Sequence, residues 1–123
     1  MSKILVVDDE IKACELLKRF LEAKGHEVII ATNGKDALTL AREKHPQLVI
    51  LDIMMPNIDG YHFCRLLKFD AKFKHIPIII VSARTMKADK ELGLACGGDE
   101  YITKPYDMNK LIDTVERHLS SLK

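Results

Sequence analysis

Five polar residues stand at or just beyond the ends of short apolar runs. Asp8 and Asp9 follow Ile4 to Val7, Asp52 follows Leu48 to Leu51, Ser82 follows Ile76 to Val81, and Lys104 follows Glu100 to Thr103. Three carboxylates, a hydroxyl and an ammonium are the parts needed to hold a divalent cation and to place a phosphoryl group on a carboxylate. Carboxylates that converge repel one another unless a cation joins them. A hard ion with oxygen ligands and retained waters, Mg²⁺ most simply or Mn²⁺, suits such a set. Taken singly, each residue has a plainer role: an acid or a serine after a strand often caps the next helix, and one lysine is usually surface. Their joint placement at the same end of four apolar runs argues for a site.

The elements that must position these residues follow from the pattern. Ile4 to Val7, Val28 to Ile30, Leu48 to Leu51 and Ile76 to Val81 are short, rich in Ile and Val, and do not alternate with polar residues. Strands of a parallel sheet covered on both faces by helices read this way. Glu100 to Thr103 is a weaker fifth strand, placed by its position in the rhythm. Between the runs lie helical stripes. Ala13, Leu16, Leu17, Phe20 and Leu21 form the first, closed by Gly25. Ala37, Leu38 and Ala41 follow Asn33-Gly34 and stop before Pro46. Phe63, Leu66 and Leu67 mark a third helix, beginning near Asp59-Gly60. A fourth runs from about Met86 to Cys96 and ends at Gly97-Gly98. The last carries Met108, Leu111, Ile112, Val115, Leu119 and Leu122, with Asp107 placed to cap it. Strand and helix alternate five times, which predicts a (βα)5 α/β domain. Right-handed crossovers then point all strands one way and gather their carboxyl ends on one edge, where open α/β sheets bind ligands.

Composition narrows the function. The chain has 123 residues, room for one domain and one core. A net charge of +1 makes no electrostatic case for direct binding to nucleic acid or to an anionic membrane. No apolar run is long enough to span a bilayer. Cys14, Cys64 and Cys96 lack the close spacing of a zinc or redox motif and read as small buried or half-buried thiols in a reducing cytoplasm.

Four stretches taken together carry a resemblance: Ile4-Leu5-Val6-Val7-Asp8-Asp9-Glu10, Leu51-Asp52-Ile53-Met54-Met55-Pro56 with Asp59-Gly60, Ile80-Val81-Ser82-Ala83, and Asp99-Glu100-Tyr101-Ile102-Thr103-Lys104-Pro105. In this order and spacing they resemble the response-regulator receiver domain of two-component signalling, of the receiver-only kind. The resemblance covers essentially all of residues 1–123 and leaves no output domain in the chain. It implies a flavodoxin-like, doubly wound five-stranded parallel sheet in the order 2-1-3-4-5.

The resemblance also implies roles. Asp52 is the expected phosphoacceptor, attacking a phosphohistidine on a sensor histidine kinase or phosphotransfer protein. Asp9, Asp52 and the backbone carbonyl of Met54 are expected to hold Mg²⁺, with Asp8 acting mainly through water. Lys104 is expected to pair with a phosphoryl oxygen, and Ser82 to donate to another once the group is present. Movement of Ser82 would leave space into which Tyr101 rotates, changing partner affinity across the fourth helix, fifth strand and fifth helix. Pro105 would follow a cis peptide bond that aims Lys104, and Pro56 and Gly60 would shape the loop after Asp52. Met54 and Arg84 flank the site at positions that vary in this family and would tune the lifetime of the acyl phosphate. The implied setting is cytoplasmic, as a monomer or a phosphorylation-dependent dimer, with a downstream target that the residues do not name.

Other signals carry less. Gly97-Gly98-Asp99-Glu100 resembles a diguanylate cyclase signature, but Tyr101 follows and no second catalytic half exists; Gly98 also departs from the alanine usual in receivers. The five histidines are scattered, and there is no Walker-type phosphate loop. Two readings compete with a phosphorylated switch. One is a Mg²⁺-dependent aspartyl-phosphate phosphohydrolase, disfavoured because Met54 stands where a second acid/base carboxylate is needed. The other is a degenerate receiver used only as a surface, disfavoured by the intact set of acids, hydroxyl and lysine.

Overall fold

Runs of Ile and Val between turn-forming residues settle into five strands, and the stripes between them into helices that cover both faces. The computed structural model describes residues 2–52, 60–83, 91, 94–95 and 97–120. In chain order these are β1 (Lys3–Val7), α1 (Ile11–Ala23), β2 (Glu27–Ala31), α2 (Gly34–Lys44), β3 (Leu48–Asp52), α3 (Gly60–Lys68), β4 (Ile78–Ser82), β5 (Glu100–Thr103) and α4 (Met108–Ser120). All strand pairs are parallel, in the order β2-β1-β3-β4-β5. The fold is thus the doubly wound sheet expected from the sequence. Most of the fourth predicted helix lies outside the described residues; Glu91, Leu94 and Ala95 within it are helical.

Side chains alternate across each strand, and this divides the core in two. Ile4, Val6, Leu48, Ile50, Ile79 and Val81 face α1 and α4, meeting Cys14, Leu17, Leu21, Leu111, Ile112 and Val115. Leu5, Val7, Val49, Leu51, Ile78 and Ile80 face α2 and α3, meeting Ala37, Ala41, Phe63, Cys64 and Leu67. Burying one such aliphatic side chain fully is worth about 1.5–3 kcal/mol, so the register of the central strands is strongly held.

Local chemistry sets the helix ends. Asn33 caps α2 by accepting a hydrogen bond from the Asp36 N–H at 2.8 Å. Asp107 caps α4, its carboxylate accepting from the Asn109 N–H at 2.8 Å. Gly25 closes α1 at φ 92°, the left-handed region that glycine enters without strain.

Three expectations need correction. β2 is not buried on both faces: it stands at the edge of the sheet, and Ile29 and Ile30 are only half-buried. β4 begins at Ile78 rather than Ile76, because Pro77 has no N–H to give the ladder and the Ile76 N–H turns back to the Phe73 carbonyl at 3.0 Å. The buried stripe of α1 is Cys14, Leu17 and Leu21; Leu16 and Phe20 are 47% and 43% exposed. The helix is rotated so that the small Cys14, which the stripe omitted, packs beneath the strand ends. Leu122 and Cys96 lie outside the described residues.

Candidate functional site

Strand register explains which of the five polar residues meet. Val7 pairs with Leu51, so Asp8 and Asp52 extend neighbouring strands at one level, and Asp52 is level with Val81 of β4. Alternation puts Asp8, Asp52 and Lys104 on the side of the sheet that carries Ile4, Ile50 and Ile102, against α1 and α4. Ser82, two residues after Ile80, falls on the opposite side with Tyr101. The edge therefore holds two groupings rather than one.

On the first side, the carboxylates of Asp8, Asp9 and Asp52 each offer an oxygen, all within 4.8 Å of one another. Asp8 and Asp52 are only 5% and 7% exposed, whereas Asp9 is open to solvent. The two buried acids are strongly held. The Asp8 N–H donates to the Ala31 carbonyl at 3.1 Å, extending the ladder to β2. One Asp8 oxygen accepts from the Glu10 N–H at 2.9 Å. Its other oxygen accepts from Lys104 Nζ at 2.9 Å, and Lys104 Nζ donates equally to Asp52 at 2.9 Å. Lys104 comes from β5, two strands away from β3; neighbouring strands lie about 4.8 Å apart, so only a long side chain can cross β4. The Lys104 backbone N–H donates to the Ser82 carbonyl at 2.7 Å, which fixes where that side chain starts. The Lys104–Pro105 peptide bond is cis, as the resemblance implied.

The electrostatics follow from this packing. Burial disfavours the charged form of Lys104, but hydrogen bonds to Asp8 and Asp52 overcome it and hold its pKa above the ordinary lysine range. The ammonium neutralises part of a threefold acidic cluster. Oxygen-only donors at this spacing fit a hard divalent cation that keeps several waters. Asp8, Asp9 and Asp52 are the described residues that could hold it.

On the second side, Ser82 is fully buried and ends β4. Tyr101 pairs with Ile80, one step along the same face from Ser82, and packs half-buried against the core beneath α2 and α3. Of the remaining predicted positions, Gly60 opens α3; Met54, Pro56 and Arg84 lie outside the described residues.

Two residues that sequence reasoning passed over support the site. The Cys14 thiol donates to the Asp8 carbonyl at 3.3 Å. Burial, reinforced by the Asp8 charge, pushes that thiol up to about 11. Tyr106 packs against the α1 and α4 core, and burial raises its phenol pKa, with Lys104 opposing. The available signal was position: Cys14 sits three and seven residues before Leu17 and Leu21, and Tyr106 directly follows Pro105.

Comparison with known proteins agrees with this geometry. Residues 4–116 match the family model of the response regulator receiver domain. The chain is 39% identical over 120 residues to Protein PilH of Pseudomonas aeruginosa, covering 98% of this chain and 99% of that one. It is 45% identical over 110 residues to the probable transcriptional regulator ycf27 of Cyanophora paradoxa, covering 89% of this chain but only 45% of that protein. Among solved structures, the receiver domain of the Francisella response regulator 1452 superposes with a TM-score of 0.92 at 32% identity, each chain covered in full. The chain belongs to the response regulator receiver domain family of two-component signalling.

Proposed function

We propose that this receiver is a switch whose substrate is its own Asp52. Lys104 lying between Asp8 and Asp52 carries the reading, because it assembles a charged acceptor site at the end of β3. An Asp52 carboxylate oxygen attacks the phosphorus of a phosphohistidine. An O–P bond forms as the N–P bond breaks, and the imidazole leaves and takes up a proton. Asp9 and Asp52 would hold Mg²⁺, with Asp8 beside them in the same cluster; the carbonyl of Met54, expected as a further ligand, belongs to a residue outside those described. A divalent cation held there would supply charge compensation for the phosphoryl oxygens. Lys104, already against Asp52, follows a phosphoryl oxygen as a point charge.

Ser82 then donates to another phosphoryl oxygen, a charge-assisted bond worth about 1.5–3 kcal/mol before costs. Its inward movement makes room for Tyr101 to rotate on the same face, which biases a two-state equilibrium. The readout passes through the fourth predicted helix, β5 and α4 to a downstream protein. The donor is a sensor histidine kinase or phosphotransfer protein of the cytoplasm. Residues 1–123 act as one receiver unit, monomeric or dimerising on phosphorylation, with no turnover beyond phosphorylation and dephosphorylation of Asp52.

A phosphotransfer screen tests this reading. Autophosphorylated sensor kinases of the source organism are mixed with the chain and Mg²⁺, and transfer of label is followed with time. One kinase should transfer much faster than the rest, and chelation of the metal should stop it. Transfer that persists without divalent metal would contradict the proposal.

A further inference from the structure

Along α3 and the connection to β4, an open surface cavity of about 600 Å³ faces solvent. It is lined by His62, Arg65, Leu66, Phe69, Asp70 and Ala71. Phe69 is 81% exposed, the highest value for a large apolar side chain among the described residues. The Arg65 guanidinium lies 5.8 Å from the centroid of its ring. An aromatic ring left in water beside a cavity incurs a solvation cost that a partner would relieve.

The charge around the cavity is one-sided. Between residues 62 and 75, Arg65, Lys68, Lys72 and Lys74 face a single acid, Asp70, in a chain whose net charge is only +1. Lys68 is committed internally: it donates to the Lys74 and Ile76 carbonyls and pairs with Asp99 at 3.1 Å. Asp70 accepts from the Lys72 N–H at 2.9 Å. Arg65, Lys72 and Lys74 are exposed. His45 stacks on Phe73 with centroids 5.4 Å apart, which brings the C-terminus of α2, with exposed Arg42, Glu43 and Lys44, to the same region.

We propose that this end of α3 docks an acidic amphipathic helix of a partner protein. An apolar side chain of that helix enters the cavity against Leu66 and Phe69, and its carboxylates meet Arg65 and Lys72. A concave, half-apolar site suits an inserted side chain better than a flat lipid surface. A second copy of the chain is a poor fit. Among the described residues the other exposed large apolar side chains are Leu94, which stands apart, and Ile11, Leu16 and Phe20 of α1; those three lie among Lys12, Lys18 and Arg19 against Glu15 and Glu22, with no acidic excess.

The test is a titration of ¹⁵N-labelled protein with a synthetic helical peptide rich in Glu and bearing one Phe, followed by NMR. Shift changes should gather on residues 62–75, and binding should weaken as ionic strength rises from about 0.05 to about 0.5 M. Phe69→Ser and Arg65→Glu, both at exposed positions, should each weaken binding about tenfold or more. Asp52→Asn should leave it unchanged. No binding, shifts centred on α1 or the acidic edge, or indifference to both variants would overturn the proposal. So would the same shifts produced by phosphatidylglycerol vesicles or duplex DNA when the peptide produces none.

Discussion

Lys104 Nζ lies 2.9 Å from a carboxylate oxygen of Asp8 and 2.9 Å from one of Asp52, joining β5 to the ends of β1 and β3. The ammonium occupies the place of a counter-charge that a divalent cation also supplies. Lys104→Met should therefore have opposite effects on stability and on metal affinity. Without metal, two nearly buried carboxylates lose the ammonium they share, at a cost of about 1–3 kcal/mol after allowing for partial exposure. Mg²⁺ should restore most of that, and its apparent affinity should rise several-fold. Calorimetric melting with and without Mg²⁺, together with a binding titration, checks both. A fall in Mg²⁺ affinity would show that Lys104 does not compete for the acids.

Ser82 and Tyr101 share the face opposite that lysine. Ser82→Ala should still accept phosphate on Asp52, at a stability cost of about 1 kcal/mol or less. The change in the Tyr101 environment on phosphorylation should disappear. Fluorotyrosine NMR reads this directly, and an undiminished Tyr101 shift in the variant would separate the two residues functionally.

Gly97 holds φ at 108°, and a Cβ there would run into the Cβ and Cγ of Lys68. Gly97→Ala should therefore destabilise by about 1–3 kcal/mol, through backbone strain and displacement of Lys68 from Asp99. Urea unfolding should show a lower midpoint with an unchanged slope. Combined with Lys68→Ala, the loss should be less than additive, because both changes release the same ion pair.

Cys14 gives a pH dependence. Burial and the Asp8 charge raise its folded pKa from 9.0 to about 11. The unfolded chain thus releases the thiol proton first. The associated stability is fully present below pH 9.0 and is lost as pH rises towards about 11. Cys14→Ser should flatten the decline in stability across that window. An unaltered profile would mean that other groups cause it.

The fold was legible because three of its strands, β1, β3 and β4, are buried on both faces, and such strands leave continuous Ile and Val runs. The candidate site was legible because its residues end those runs. Register and rotation were not. Leu16 and Phe20 are as apolar as Leu17 and Leu21, and only packing against β1 and β2 turns Cys14 inward. Pro77 marked the true start of β4, yet Ile76 beside it extended the apolar run. The reach of Lys104 across β4 depends on strand order, which came from the family resemblance and not from spacing. The division of the edge into an acid–lysine side and a Ser82–Tyr101 side needs strand parity, and parity needs correct strand ends.

The central claim is that Asp52 is the residue that takes the phosphoryl group. Treating the protein with acetyl phosphate and Mg²⁺, reducing the acyl phosphate with borohydride and mapping the product by peptide mass spectrometry tests this most directly. Conversion of Asp52 to homoserine, with no labelling in Asp52→Asn, is the result expected. A modified residue elsewhere, or full labelling of Asp52→Asn, would contradict it.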